Sequence, residues 1–162
     1  MKAINIMTCG SVDDGKSTLL GRLIYETDNL LEDQSEYLLK INKKFAKKDT
    51  EIDYSLLLDG LIDEKEQGIT IDIAFKYFTI KNTQFTLIDS PGHKEYTKNM
   101  ANAATFADVA LILIDASKGI TMQTKKHIDI VNMFPNIQNK IICINKMDKL
   151  EDSKTSYIEI KK

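Results

Sequence analysis

The run TCGSVDDGKST, at residues 8–18, connects two apolar stretches of this sequence, AINIMTC and LLGRLI. Gly10, Gly15, Lys16 and Ser17 match the spacing G-x-x-x-x-G-K-[ST] of a phosphate-binding loop. In such a loop the glycines let backbone N–H groups approach phosphate oxygens, the lysine neutralises the β and γ phosphates, and the serine hydroxyl binds magnesium. A strand must enter this loop and a helix must leave it, which predicts an α/β fold.

Five short apolar or alternating runs support that fold class. They predict strands at residues 3–9, about 69–80, 84–89, 108–114 and 140–145. Helical spacing of apolar residues predicts helices within 15–26, 93–107 and 121–134. Their alternation predicts an α/β domain built mainly on a parallel sheet. Together with the phosphate-binding loop, it predicts a P-loop NTPase fold with helices on both faces. Lys81-Asn82 separates two of the strands and predicts a hairpin, hence one antiparallel edge.

Residues 27–66 carry no strand signal. The stretches EYLLKINKKF and SLLLDGLIDEKEQ place apolar residues at helical spacing instead. We therefore predict a helical insertion that packs on the domain and merges with a switch region ending near residue 70. A dedicated binding surface is the less favoured interpretation of this segment.

Composition limits the kinds of partner. The 162 residues are 43% hydrophobic and 28% charged, which is typical of one folded domain. A net charge of −2 and a single arginine, Arg22, disfavour a nucleic-acid partner. The apolar run VALILIDA is far shorter than a membrane span, so we expect no membrane partner. Cys9 and Cys143 lack disulfide and metal-ligand spacing, which favours buried reduced thiols and a cytoplasmic location.

A second motif follows the predicted strand at 84–89. In LIDSPGHKEY an apolar run ends at Asp89 and continues into a D-x-x-G turn at Gly92. A carboxylate at the carboxyl end of a strand next to the phosphate loop is where a P-loop enzyme positions magnesium. Asp89 fits that role, whereas an isolated Asp-Ser-Pro-Gly sequence would indicate only a turn.

The predicted strand at 140–145 runs into a third motif, Asn145-Lys146-Met147-Asp148. The Asp148 carboxylate can accept two hydrogen bonds from the ring N–H and the exocyclic amine of guanine, which adenine cannot supply. The motif therefore favours guanine over adenine. A fourth element, EKEQGITID, offers Thr70, whose hydroxyl could complete a magnesium shell only when a γ-phosphate is present. That dependence predicts a switch.

Together these motifs resemble the GTPase domain of the translation-factor superfamily, which includes elongation factors Tu and 1-alpha. Five stretches are similar, more narrowly, to the GTPase-subunit family of sulfate adenylyltransferases: GSVDDGKSTLLGRLIYET, LLLDGLIDEKEQGITIDIAFKYF, DSPGHKEYTKNMANAA, DASKGITMQTKKH and INKMD. Elongation factors usually carry His where Ser11 stands and rarely carry the Asp13-Asp14 pair. The narrower resemblance implies coupling of GTP hydrolysis to adenylyl sulfate synthesis from ATP and sulfate. It also implies a heteromer with the small adenylyl-transferring subunit.

The resemblance implies roles for individual residues. Ser17, Thr70 and Asp89 would hold Mg²⁺. Lys16 and His93 would be catalytic, with His93 positioning the attacking water. Asp13 would help to hold a monovalent cation beside the phosphates. GTP or GDP would contact residues from all three motifs, namely Gly10, Ser11, Val12, Asp13, Asp14, Gly15, Lys16, Ser17, Thr18, Asp89, Ser90, Pro91, Gly92, His93, Asn145, Lys146, Met147 and Asp148.

Three other residues receive separate interpretations. Asp14 marks the narrower family, and a contact with the switch segment is one hypothesis for it. His127 lies on a predicted amphipathic helix and is interpreted as structural. Arg22 follows the phosphate loop within a helix, which makes it a poor arginine finger. We therefore predict slow intrinsic turnover that needs a partner.

Relatives continue beyond N-K-x-D through a helix, a sixth strand and a Ser-Ala-Leu loop that backs the guanine. No such match follows Asp148 here. We expect residues 1–162 to form a truncated GTP-binding domain that lacks the sixth strand and leaves the strand at 140–145 as an open edge. Three functions remain open: a sulfate adenylyltransferase GTPase module, a translation elongation GTPase, and a folded fragment without activity of its own.

Overall fold

The computed structural model describes residues 2–27, 36, 40, 52–58, 69–150, 157, 158 and 160. Within these residues the strands are β1 (Lys2–Cys9), β2 (Ala74–Ile80), β3 (Thr83–Asp89), β4 (Val109–Asp115) and β5 (Asn139–Asn145). The helices are α1 (Lys16–Glu26), α2 (Thr97–Ala104) and α3 (Met122–Asn132). The predicted insertion at 27–66 lies largely outside the described residues. Its described part includes a short 3₁₀ turn, Tyr54–Leu57, which overlaps the start of the second predicted helix.

The five strands form one sheet in the order β2-β3-β1-β4-β5. β1 pairs in parallel with β3 and β4, and β4 pairs in parallel with β5. Only β2 runs antiparallel to its neighbour, as the predicted hairpin requires. The mainly parallel α/β sheet is therefore confirmed, and β5 is an edge strand among the described residues.

The predicted strand at about 69–80 starts too early. β2 begins at Ala74, which pairs with Asp89, the last residue of β3. Residues 69–73 run beyond the end of β3, so they have no strand there to complete the ladder. The hairpin itself closes through Lys81-Asn82, and Lys81 takes the left-handed conformation with φ 54°.

Helices cover both faces of the sheet, as predicted. Side chains alternate along β1, so that Met7 and Cys9 pack with α2 and α3 on one face. On the other face, Leu20 and Ile24 of α1 pack against Leu87 of β3. The phosphate loop therefore emerges from a central strand that is packed on both sides.

The helices are shorter than the predicted spans. A 3₁₀ turn at Lys94–Tyr96 precedes α2, and α2 ends at Ala104. The Asn136 side-chain amide donates to the carbonyls of Ala104 and Ala107, which satisfies acceptors that continued helix would otherwise use. Thr121 caps α3 by accepting a hydrogen bond from the Thr124 backbone N–H.

The cysteine prediction is confirmed for one residue and wrong for the other. Both cysteines are free thiols, and Cys9 is fully buried. Cys143 is only partly buried, because it lies on the edge strand β5. Among the described helices, none combines the length and the apolar character that crossing a membrane requires.

Candidate functional site

The loop between β1 and α1 has the backbone that its glycines suggest. Gly10 has φ 144° and Gly15 has φ 95°, both in a region that L-residues rarely adopt. A Cβ atom on Gly10 would also lie 2.5 Å from the Leu113 carbonyl oxygen of β4. Asp13 lacks this freedom and still takes φ 65°. The loop therefore turns tightly against the end of β4 before α1 begins at Lys16.

Lys16 is buried beneath this loop. Its Nζ donates to the Ser11 carbonyl at 2.7 Å and lies 3.5 Å from the Gly10 carbonyl. Burial lowers the pKa of the Lys16 ammonium, and the carboxylates of Asp89 and Asp14 oppose that shift. A Cβ atom at Gly92 would lie only 2.4 Å from Nζ, so the D-x-x-G turn packs directly onto the lysine. The phosphate loop and the D-x-x-G turn thus share one cation.

Asp14 braces the loop from inside. The carboxylate is 1% exposed, and its Oδ2 accepts a hydrogen bond from the Ser11 backbone N–H at 2.6 Å. Burial raises the pKa of Asp14, while the Ser11 N–H and the Lys16 charge lower it. Its hydrogen-bond partner within the described residues therefore lies in the loop, and the hypothesis of a contact with the switch segment gains no support there.

Oxygen ligands suitable for a divalent cation gather beside Lys16. Ser17 Oγ lies 3.1 Å from Thr70 Oγ1, although the two residues are far apart in sequence. Asp89 is buried at the end of β3, where its Oδ1 accepts from Thr8 Oγ1 at 2.9 Å. Hydroxyl and carboxylate oxygens suit Mg²⁺, which commonly takes its remaining ligands from phosphates and water. The predicted metal set therefore fits a magnesium ion. No group of three or more His, Cys, Asp or Glu side chains that could bind a metal occurs in the described segments.

The N-K-x-D motif touches the phosphate loop. Asn145 Nδ2 donates to the Asp14 carbonyl at 2.8 Å, and a Cβ atom at Gly15 would lie 2.4 Å from the same nitrogen. Lys146 has φ 58°, and its Nζ donates to the Asp13 carbonyl. Asp148 is exposed in the 3₁₀ turn Met147–Lys149. The structure therefore brings Asn145 and Lys146 into contact with the phosphate loop, whereas the Asp148 side chain is exposed to solvent.

Asp115, at the end of β4, is a site residue that sequence reasoning missed. Its buried carboxylate binds Lys146 Nζ at 2.8 Å and also accepts hydrogen bonds from the Ser117 backbone N–H and hydroxyl. These hydrogen bonds and the Lys146 charge outweigh the burial of the carboxylate and lower the pKa of Asp115. A carboxylate at the end of a strand beside the loop was the available signal in DASKG.

His127 also reaches the loop. It is fully buried on α3, its Nδ1 accepts from the Gly10 backbone N–H at 3.2 Å, and its Nε2 lies 2.8 Å from the Gln123 side-chain amide. Burial, followed by the nearby Lys16 charge, lowers the pKa of His127 to about 4. The structural interpretation of His127 thus becomes specific: its neutral ring holds the first glycine of the phosphate loop.

His93 follows the D-x-x-G turn at the rim of the site. Its Nδ1 accepts weakly from the Glu95 backbone N–H at 3.4 Å. Arg22 points away, forming an i,i+4 ion pair with Glu26 on the exposed face of α1. Lys118, from the loop after β4, lies 4.0 Å from the Asp13 carboxylate. The positive charges that meet the site in the described residues therefore come from lysines.

One cavity of about 410 Å³ connects these elements. It lies between the phosphate loop, the segment at 69–70, the D-x-x-G turn and the start of the N-K-x-D motif. Its lining consists of Val12, Asp13, Gly15, Lys16, Ser17, Thr18, Ser55, Ile69, Thr70, Gly92, His93 and Lys146. Ser55 was not predicted, because its segment read only as part of a helix.

The sequence matches known proteins over nearly its whole length. The family described as "Elongation factor Tu GTP binding domain" matches residues 1–162. Sulfate adenylyltransferase subunit 1 of Shewanella woodyi is 47% identical over 159 residues, covering 98% of this chain and 34% of the relative. The chain thus spans about a third of the length of that curated relative.

Two of the solved structures with similar folds are translation elongation factors. A bacterial selenocysteine-specific elongation factor, EF-Sec, is 29% identical with a TM-score of 0.68, and the match covers 98% of this chain and 23% of that chain. Elongation factor SelB from Methanococcus maripaludis, in complex with the GTP analogue GppNHp, is 27% identical with a TM-score of 0.62. That match covers 99% of this chain and 25% of the SelB chain.

Proposed function

Because the chain belongs to the elongation factor Tu GTP-binding domain family, we propose that it binds GTP and GDP in the cavity around Lys16 and hydrolyses GTP there. The observation that carries this proposal is the packing of the D-x-x-G turn and the N-K-x-D motif, from two other strand ends, against the phosphate loop that holds Lys16. Gly92 lies against Lys16 Nζ, and Asn145 lies against Gly15. Such convergence at the carboxyl ends of parallel strands is typical of nucleotide sites.

The phosphate loop would hold the nucleotide phosphates through its backbone amides. Lys16 needs little rearrangement for this role, because the Ser11 carbonyl already holds its Nζ against the loop. The α1 N-terminus, directly after the loop, adds positive potential at the same place. Residues 10–18 would therefore act as one preorganised anion site.

Ser17, Thr70 and Asp89 would hold Mg²⁺, with the hydroxyl pair of Ser17 and Thr70 already 3.1 Å apart. When bound, the ion would offset negative charge on the nucleotide phosphates. His93 would hold the attacking water in line with the γ-phosphate, and Lys16 would stabilise the charge that develops in the transition state. The D-x-x-G turn would contact the γ-phosphate through Ser90, Pro91 and Gly92.

The guanine base would lie on the N-K-x-D motif, Asn145 to Asp148. Asp148 is exposed and therefore open to a ligand, and Lys146 is fixed by Asp115 at 2.8 Å. A monovalent cation beside the phosphates is a further part of this proposal. It would have to compete with Lys118, which lies 4.0 Å from the Asp13 carboxylate. Equal turnover in potassium and sodium salts would contradict a role for such a cation.

Titration calorimetry with GDP, GTP and ATP in magnesium buffer tests this proposal. We expect binding of the guanine nucleotides only. Asp148→Asn should weaken GDP binding by about tenfold or more, because hydrogen bonds to a charged group are lost. The same variant should gain affinity for xanthosine diphosphate, whose 2-oxo group accepts from the new amide. Asp129→Asn, an exposed change on α3, serves as the matched control. An absence of guanine-nucleotide binding would favour the interpretation as a folded fragment without activity.

For the protein as a whole we propose the role indicated by the name of the 47% identical relative, sulfate adenylyltransferase subunit 1. In that role the domain couples GTP hydrolysis to adenylyl sulfate synthesis and works in the cytoplasm in a heteromer with a small adenylyl-transferring subunit. The alternative is translation elongation, which the family and the similarity to EF-Sec and SelB support. Addition of each partner, the small subunit or ribosomes, distinguishes the two, since only the correct partner should stimulate GTP hydrolysis.

A further inference from the structure

The segment that carries Thr70 is held by a side chain of α2. Asn99 Nδ2 donates to the backbone carbonyl of Ile71 at 3.0 Å. Ile71 directly follows Thr70, whose hydroxyl meets Ser17 Oγ. We propose that Asn99 is a positioning residue that places the Thr70 hydroxyl at the metal side of the phosphate cavity. This inference rests on the proposed function.

The position of Ile71 in the fold explains why a side chain is needed there. The last strand pair of the hairpin joins Ala74 to Asp89, so the sheet ladder ends before Ile71 is reached. Asn99 provides a fixed donor at this point, because its neighbour Met100 is fully buried in the core. The half-buried Asn99 amide thus fixes the segment at 69–71 relative to α2.

The same helix is also tied to the D-x-x-G side of the site. Thr97, in its first turn, donates from its hydroxyl to the carbonyl of Lys94, the residue after His93. The side-chain amide of Gln123 on α3 lies 3.3 Å from the same Thr97 hydroxyl. α2 therefore holds both the residue next to His93 and, through Asn99, the residue next to Thr70. A change in the position of α2 would move the two segments together.

This arrangement has a selective consequence for nucleotides. Thr70 would complete the magnesium shell only when a γ-phosphate is present, so loss of the Asn99 amide should affect triphosphates and spare diphosphates. Removal of a neutral hydrogen bond at a partly buried site predicts a change of about threefold to tenfold. A general loss of folding would instead affect both classes of nucleotide equally.

Two variants and one control test the proposal. Asn99→Ala removes the donor, and Asn99→Asp keeps the shape but sets a carboxylate against the Ile71 carbonyl. Asn102→Ala makes the same truncation at an exposed position of α2. Fluorescence titration in magnesium buffer would measure the affinity for GppNHp and for GDP. We expect both Asn99 variants to weaken GppNHp binding by about threefold to tenfold and to leave GDP binding within about twofold, with Asn102→Ala unchanged.

Hydrogen exchange of the nucleotide-free chain supplies a measurement that does not depend on ligand. Backbone amides in 69–73 should exchange about threefold to tenfold faster in Asn99→Ala than in wild type or Asn102→Ala. Equal exchange in the three proteins, or equal weakening of GppNHp and GDP, would overturn the positioning role. A wild-type chain that binds neither nucleotide would overturn the proposed function, and the exchange experiment would still decide whether Asn99 holds the segment.

Discussion

Protonation of His127 should destabilise both the fold and the phosphate loop. In the folded chain the pKa of His127 is lowered to about 4 from 6.5 by burial and by the Lys16 charge. The neutral ring accepts the Gly10 N–H at Nδ1, and protonation would remove that acceptor and bring a second cation close to Lys16. Between pH 6.5 and about 4 the unfolded chain therefore binds a proton that the folded chain does not bind.

The sign and the size of the effect follow from this difference. Since the unfolded state binds more protons in that range, the contribution to the free energy of unfolding falls as pH decreases from 6.5 and levels off below about 4. One pKa unit corresponds to about 1.4 kcal/mol, so the full effect is about 3 kcal/mol. For a marginally stable domain that is a large part of the total.

Urea unfolding followed by circular dichroism, at several pH values from 7 down to about 4, measures this contribution. His127→Asn places an amide oxygen near the position of Nδ1, and the new side chain cannot titrate. The free energy of unfolding of this variant should therefore vary less steeply with pH, by a slope equivalent to at most one bound proton. Proton NMR of the ring adds a direct measurement, because the chain contains only 2 histidines and the variant assigns them. Identical pH slopes for wild type and variant, or a His127 midpoint near its ordinary value, would refute this account.

Three further outcomes are expected. Gly21→Ala places a Cβ 2.0 Å from the Tyr54 carbonyl oxygen, so it should lower the free energy of unfolding by about 1–3 kcal/mol despite the better helix propensity of alanine; an unchanged melting temperature would contradict that contact. Lys146→Met removes the cation from the buried Asp115 carboxylate and leaves it only the hydrogen bonds from Ser117. The free energy of unfolding in urea should fall by about 2–3 kcal/mol, and a fall below about 0.5 kcal/mol would contradict the role of this ion pair. Burial raises the pKa of Cys9 to about 12, so iodoacetamide at mildly alkaline pH should leave this thiol unmodified in the folded chain; mass spectrometry that finds rapid alkylation would disprove its burial.

The sheet and the place of the site were predictable because they depend on local patterns. Apolar runs identify strands, and parallel pairing then brings the ends of β1, β3 and β5 to one edge of the sheet. The motifs after these strands had to meet there. The start of β2 was not predictable in the same way, because residues 69–73 have strand-like composition and their state depends on where β3 ends.

Contacts between distant residues were beyond the reach of sequence patterns. Helical periodicity places His127 on the buried face of α3, but it cannot tell which backbone N–H the ring will meet. The pair of Lys146 and Asp115 depends on the register of β4 and β5, where Asp115 lies opposite Asn145. Such partners are set by tertiary packing, so they became visible only in the folded chain.

The joint between β1 and β3 has a mechanical consequence. Thr8 donates to the Asp89 carboxylate, and the Ser90 hydroxyl donates back to the Thr8 carbonyl at 2.6 Å, all with buried side chains. These two bonds clamp the strand that enters the phosphate loop to the strand that enters the D-x-x-G turn. The two loops therefore start from one fixed point. We expect the hinge of a rearrangement in the D-x-x-G turn to lie farther along the chain, between Pro91 and the start of α2.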